Sequence, residues 1–555
     1  MTTPELHRFR PKILDALKGY TAHAFRTDLG AGVVVGLVAL PLAMAFAIAS
    51  GLPPAMGLFT AVVAGFIGAG LGGSRVSVHG PTGAFVVIVA GIAAKYGTGG
   101  LAVCGLMAGV LLIVMGLVKA GDLIKFVPYP VVTGFTSGIA VIIFTSQVKD
   151  LLGLAMATNP AEFIPKWGAI LGSLQSVSLA ATCLGLGTAA LIWLWPRSWQ
   201  KVPGSVVALV LATAAAIYLK LPVETVQSRF GPVPSSLPMP SLPAIPWGSL
   251  RELVQPAITV ALLAAIESLL CAVVADGMIG DRHDANQELM ALGLANIASP
   301  IFGGIPATGA IARTATNVKN GGRTPVASMV HALVLLCILL AAAPLAGHIP
   351  LAALAGVLVV VSYNMSEWHS FVRLFDGPKS DILVLVTSFL LTVLVDLTVA
   401  VEVGLVMAAF LFMRKMADLT QVKTILREGD DDARALLKDV EVPEGVELWS
   451  VHGTFFFGAA NKVLELTREV EKKPKALVLE MRGVLFMDAT GVQTLRQVHK
   501  DCARRGIRLV CSGLHAQPLD VVMRTGTWDL IGEENFTGDL KEAMQRATAP
   551  GEVAR

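Results

Sequence analysis

His79-Gly80-Pro81-Thr82-Gly83-Ala84-Phe85 opens an apolar segment too short to cross a bilayer alone, and Ile305-Pro306-Ala307-Thr308-Gly309-Ala310-Ile311 opens another in the second half of the chain. Each carries Thr-Gly-Ala behind a proline, at 82–84 and at 308–310. With the apolar segments counted along the chain, the first short segment runs from inside to outside and the second runs the other way. That pattern predicts an inverted-topology repeat, with two broken helices meeting near the membrane midplane.

The surrounding composition supports a membrane solvent. Of 555 residues, 54% are apolar and 15% charged, with a mean hydropathy of +0.68, where a soluble domain runs near ~25% charged. The charge is also unevenly spread: residues 415–555 hold 20 Lys/Arg and 22 Asp/Glu, against 23 and 18 in residues 1–414. The first part is built for lipid and the second is an ordinary soluble domain. A disordered, collagenous or disulfide-rich secreted protein is excluded, and so is a soluble enzyme.

A transmembrane helix needs roughly 20 apolar residues. Between Asp28 and Arg75 no Asp, Glu, Lys or Arg occurs, and further charge-free stretches follow at 76–94, 96–118, 126–148, 167–196, 202–219, 289–312 and 324–366. With two more runs around 253–275 and 382–413, broken only by Glu267, Asp396 and Glu402, these predict about fourteen segments. Twelve basic loop residues fall inside and six outside if the N-terminus is cytoplasmic, which sets the orientation. The polar N-terminus MTTPELHRFRPK is expected to lack a cleavable signal. The proline-rich stretch within 221–250 reads as a linker between halves. No basic stripe suits nucleic acid.

A half-helix that starts inside the membrane exposes free N–H groups and the positive end of its dipole. Two such ends form a site for an anion. Gly83, Ala84, Gly309 and Ala310 let a ligand approach the backbone, and Thr82 and Thr308 would add hydroxyl donors. Close packing of small residues is the bland alternative, but packing does not require breaking both helices. Arg313, four residues after Gly309, points back toward the same cavity; snorkelling to the inner surface beside Lys319 is its alternative. Glu267 has no charged neighbour for eight residues on either side. A carboxylate there must be paired, with Arg313 for instance, or protonated, or functional. It is expected to carry a coupling proton, since Cys271 and Ile311 offer sodium no oxygen. Asp396 fits a helix N-cap, with Glu402 in the turn after it.

Six cysteines show neither metal-ligand nor disulfide spacing, and the four in apolar runs are expected in the core. The cluster Asp276 to Asp284 lacks ligand spacing and reads as a solvated turn. No metal or cofactor is expected. In the tail, VELWSV, ALVLEM and IRLVCSG read as strands and 458–471, 490–505 and 516–526 as helices, a small α/β domain with a mixed sheet. No phosphate loop and no catalytic pair occur there, and Asp488 or Thr490 sits near a helix cap.

LPLAMAFAIASGLPPAMGL, GGSRVSVHGPTGAF, AIESLLCAVVADG and NGGRTPVASMVHA resemble the SulP anion transporters, the sulfate permease or pendrin–prestin family, over essentially the whole chain. The bacterial branch carrying C4-dicarboxylates such as succinate and fumarate is the most similar, and the tail resembles a STAS domain. The resemblance implies an all-α membrane domain of fourteen segments in a 7+7 inverted repeat with a core moving against a gate like an elevator. It also implies a homodimer and a cytoplasmic α/β STAS domain with a possible protein partner. By position, Phe46, Thr82, Gly83, Ala84, Gly309, Ala310 and Arg313 would line the anion site and Glu267 would couple the proton. Thr490 stands where related antagonist proteins carry a phosphorylated serine, a regulatory position. Ala312 stands where animal members often carry serine, which leaves the substrate open.

The expected architecture is therefore a cytoplasmic segment 1–27, a transporter domain 28–414, a linker 415–440 and a STAS domain 441–549. The expected activity is proton symport of a small anion, sulfate or a C4-dicarboxylate, across a bacterial inner membrane with both termini cytoplasmic. Bicarbonate transport is an alternative. A passive channel or uniporter would ignore the proton gradient, a nucleobase permease would not want Arg313, and an anion sensor would bind without transport.

Overall fold

The computed structural model describes residues 7–122, 127–156, 158, 160, 162–196, 202–244, 247–395, 397–419, 421–424, 440–456 and 474–549. Two compact units divide the chain, Met1–Leu405 and Val406–Arg555.

In the first unit, α1 (Ala22–Ala49) and α2 (Pro54–Leu71) precede one helical run, Phe85–Leu117, that contains two segments. These are α3 (85–96) and α4 (98–117), broken at Gly97, where φ is 69° and ψ −178°, a conformation open to a residue without Cβ. α5 (Tyr129–Leu152), α6 (Leu179–Trp193) and α7 (Gly204–Tyr218) complete a first set of seven. The second set is α8 (Leu250–Ile279), α9 (Ala285–Ile301), α10 (Ile311–Lys319), α11 (Pro325–Gly347), α12 (Leu351–Met365), α13 (Lys379–Leu394) and α14 (Leu397–Leu419). Several starts are written locally: Thr21, Ser178, Asp284 and Thr324 accept from the first free amides of α1, α6, α9 and α11. Asp396 lies outside the described residues, while Glu402 accepts from Gln255 Nε2 at 3.2 Å.

The packing repeats when seven is added to each helix number. α4 lies on α9 and α2 on α11; α1 lies on α11 and α8 on α4; α5 lies on α13 and α12 on α6. α2 meets its own counterpart α9, and α5 meets α12. A twofold axis relating the two halves produces this pattern, so the inverted repeat and both broken helices are present. Two bundles follow, α1–α4 with α8–α11, and α5–α7 with α12, α13 and the part of α14 up to Leu405, where Gly404 lies against Val131 and Ser388.

Lipid tails are as apolar as leucine, so helices associate in a bilayer through close packing rather than hydrophobic burial. At the α4–α9 crossing a Cβ on Gly109 would stand 2.7 Å from the Gly293 carbonyl oxygen, and a Cβ on Gly293 2.6 Å from the Gly109 carbonyl oxygen. Backbone cannot step aside as a side-chain tip can. Gly293→Ala is expected to lose about 1–3 kcal/mol to overpacking, seen as a lower unfolding temperature in detergent; an unchanged temperature would show that the crossing tolerates separation.

The second unit holds a mixed five-stranded sheet in the order β3 (Gln421–Thr424), β4 (Val446–Phe455), β5 (Ala476–Met487), β6 (Arg508–Ser512), β7 (Phe536–Thr537). β3 is antiparallel to β4 and the rest are parallel. Leu477, Leu479 and Met481 pack into one apolar cluster while Ala476 and Val478 pack into another on the opposite face. Burial on both faces is what parallel strands require. Helices α15 (Ala489–Arg505), α16 (Ala516–Arg524) and α17 (Leu540–Thr548) provide cover. The helical pattern at 458–471 lies outside the described residues.

Burial pushes the thiols of Cys502 and Cys511 up to about 12, leaving both as small core residues. Cys104 and Cys271 are also buried, but Cys183 and Cys337 are exposed on α6 and α11, which corrects the expectation for those two. An apolar run in lipid has no polar face to mark which side is outward.

Candidate functional site

β1 (His79–Gly80) and β2 (Thr308–Gly309) pair antiparallel, His79 opposite Gly309 and Gly80 opposite Thr308. Each strand is the other's counterpart in the repeat, so the pair lies on the twofold axis. From it the two short segments depart, α3 behind Ala84 and α10 behind Ala310.

Strand pairing decides which amides remain free. The Ala310 N–H donates to the Val78 carbonyl at 2.8 Å and the Gly309 N–H to Ser268 Oγ at 2.8 Å. Thr308 turns its hydroxyl to the Gly309 carbonyl at 3.1 Å. Thr308 is therefore no ligand donor here, and Gly309 and Ala310 offer close approach but no free amide. No described residue accepts from the amides of Thr82, Gly83 and Ala84 on one side, or of Ile311, Ala312 and Arg313 on the other. The Thr82 hydroxyl is buried without a partner among the described residues.

Arg313 is 2% exposed. Its Nη2 donates to the Pro81 carbonyl at 2.5 Å, immediately before the free amides of 82–84. Its Nη1 is buried with no partner among the described residues. A Cβ on Gly80 would come within 2.8 Å of Nη1, so glycine at 80 leaves the guanidinium its place. Burial this deep rules out snorkelling beside Lys319. Among the described residues no carboxylate pairs with Arg313, and the expected ion pair with Glu267 does not form. Glu267 lies on α8, 9% exposed, with no hydrogen bond or ion pair to a described residue. Its neighbour Ser268 is the residue that holds Gly309.

Phe46 is buried on α1, and Ser50, one turn later, donates to the carbonyls of Phe46 at 2.9 Å and Val86 at 3.2 Å. That hydroxyl joins α1 to the first turn of α3. Thr490 is exposed in the first turn of α15, behind Asp488, which caps that helix through Gly491 N at 2.8 Å.

Several positioning residues escaped the sequence reading. Glu288 on α9 accepts from Gly73 N at 2.7 Å and Ser74 N at 3.1 Å, and meets His79 Nε2 at 2.8 Å. Both side chains of this couple are almost fully buried. The stretch leading into β2 is held by neutral groups instead: Thr60 Oγ1 accepts from Ile305 N at 2.7 Å and Asn296 Oδ1 from Ala307 N at 2.9 Å. Glu288 falls in the first turn behind the Asp284 cap, where a carboxylate reads as ordinary dipole chemistry. Truncating one member of a buried couple costs about 3–5 kcal/mol. Glu288→Ala should therefore lower the unfolding temperature far more than Glu288→Gln, which keeps an acceptor oxygen; equal losses would remove the couple as the anchor of the stretch leading into β1.

The Asp276–Asp284 turn is ordered by His283 Nδ1 on Asp276 at 2.7 Å and by Arg75 on Asp281 at 3.0 Å. No group of three or more potential metal ligands occurs among the described residues.

The sulfate permease family model matches residues 25–388. This chain belongs to the sulfate permease family. A STAS domain model matches residues 438–543. The chain is 40% identical over 521 residues to a putative sulfate transporter, YvdB, of Bacillus subtilis, covering 94% of this chain and 97% of that one. It is 34% identical over 544 residues to the bicarbonate transporter BicA of Picosynechococcus, covering 94% of each. The inward-facing murine Slc26a9 anion transporter shares the fold, with a TM-score of 0.87 at 19% identity over 97% of this chain and 94% of that one.

Proposed function

We propose that this member of the sulfate permease family is a secondary transporter of small anions, coupled to protons. Sulfate, bicarbonate and C4-dicarboxylates such as fumarate or succinate are the substrate class. The observation that carries this reading is Arg313: a buried guanidinium without an acid partner among the described residues, flanked by the free amides of 82–84 and 311–313. A charge at membrane depth costs roughly 2.5–3.5 kcal/mol on insertion scales, and a bound anion offsets that cost while taking the free donors. Relatives named as sulfate and bicarbonate transporters support the class; the dicarboxylates rest on the resemblance alone.

In this reading Thr82, Gly83, Ala84, Gly309, Ala310 and Phe46 shape the pocket around Arg313. Glu267, buried and unpaired, takes up the coupled proton. The α1–α4/α8–α11 bundle acts as the core that carries the anion past the α5–α7/α12–α14 gate, as in an elevator. The protein works as a homodimer in a bacterial inner membrane with both termini in the cytoplasm, and Thr490 offers the STAS domain a regulatory hydroxyl. Uptake of labelled sulfate, bicarbonate and fumarate into proteoliposomes tests the substrate class. Saturable uptake of one of them, competed by its congeners, is expected; equal, non-saturating leakage of all three would refute the reading.

A further inference from the structure

The free amides at 82–84 are not open on every side. A Cβ built on Gly83 would stand 2.8 Å from Met365 Sδ, 3.2 Å from Met365 Cε and 2.9 Å from Ile143 Cδ1. Met365 ends α12 and Ile143 lies on α5, so both belong to the bundle opposite the one that holds the broken helices. These two helices are each other's counterparts in the repeat and pack directly together. Ile143 is fully buried and Met365 partly so, and both join the apolar cluster that contains Phe46, Ala84 and Phe85. The end of α12 is fixed beside them: Ser137 Oγ on α5 donates to the Ser366 carbonyl at 2.5 Å, one residue beyond Met365.

We infer that Met365, backed by Ile143, is the apolar lid over the anion site and sets the largest anion it accepts. The inference rests on the proposed transport at that site. Glycine at 83 lets the Met365 thioether lie directly on the backbone beside the free amides, so an anion large enough to reach past them displaces it. Methionine suits this position, since its unbranched, polarizable chain refits itself to different neighbours. Ile143 is branched and enclosed, so it forms the fixed wall while Met365 moves. Anion size is then read by how far Met365 must swing, and charge by Arg313 and the amides.

The test compares fumarate with sulfate uptake for wild type, Met365→Ala, Met365→Leu and Ile143→Ala in proteoliposomes. Met365→Ala is expected to raise the fumarate-to-sulfate ratio by roughly tenfold, the scale of a change in apolar pocket volume. Met365→Leu, close in volume, should stay near wild type. A lid that served packing alone would scale both anions together and leave the ratio fixed, which overturns the assignment.

A second arm needs no transport. In protein whose six cysteines are replaced, Thr82→Cys should react with a small water-soluble thiol reagent several-fold faster when Met365→Ala is added. If none of the anions is transported, the proposed function fails while this arm still decides the lid. If labelling is unchanged by Met365→Ala, the lid is absent whatever the protein transports.

Discussion

Arg313→Ala is expected to lower anion affinity by roughly a hundredfold or more. The expected size follows from the geometry. Truncating one partner of a buried, hydrogen-bonded charge pair costs about 2–5 kcal/mol, and 1.4 kcal/mol is about tenfold. With the anion bound, Arg313 Nη1 would gain the partner it lacks among the described residues. Arg313→Lys should recover little, because the ammonium is a point charge without the planar fork that can hold Pro81 and an anion together. Stability separates loss of the site from loss of the fold. Removing a buried charge that has no acid partner should leave the unliganded variant at least as stable as wild type. An anion at a hundred times its dissociation constant stabilises wild type by about 2.7 kcal/mol, and this shift should vanish in the variant. A thermal-shift titration with the transported anion reads both quantities. Near-normal affinity in Arg313→Ala would leave the amides of 82–84 and 311–313 as the whole site.

Glu267→Gln is the second large effect. The substitution keeps shape and hydrogen-bonding capacity but cannot take up or release a proton. A symporter that loads a proton on Glu267 moves its anion faster as the outside is made more acidic. In the variant this dependence should flatten while binding persists, so that anion exchange at equal pH continues and uphill uptake stops. The absence of an acid or base partner to Glu267 among the described residues makes the prediction specific: no described ion pair competes for the carboxylate. Unchanged pH dependence in Glu267→Gln would return the residue to a structural role and place the coupling elsewhere.

Much of this architecture is legible in the chain because it follows from solvent. Charge-free runs locate helices, and Thr-Gly-Ala behind proline at both 82–84 and 308–310 locates the breaks. Local pattern also places Arg313 one turn into a short helix, where side chains point back toward the helix start. The partners are another matter. His79 and Glu288 lie in opposite halves 209 residues apart, and Ser268 and Gly309 lie 41 apart within one half, so only tertiary packing brings each pair together. The identity of the free amides is hidden for a related reason. Sequence marks Gly309 and Ala310 as the exposed backbone, yet the β1–β2 pairing and Ser268 take those N–H groups and pass the role to Ile311, Ala312 and Arg313. Lipid and core also look alike to an apolar residue, which is why Cys183 and Cys337 could not be told from Cys104.

The central claim is that a proton gradient drives an anion through the Arg313 site. The direct measurement is labelled anion accumulation in proteoliposomes with an inward proton gradient, with and without a protonophore, for wild type and Arg313→Ala. Accumulation above the external concentration that collapses with protonophore, and is missing in Arg313→Ala, is the predicted result. Uptake that stops at equal concentrations and ignores the protonophore would contradict it.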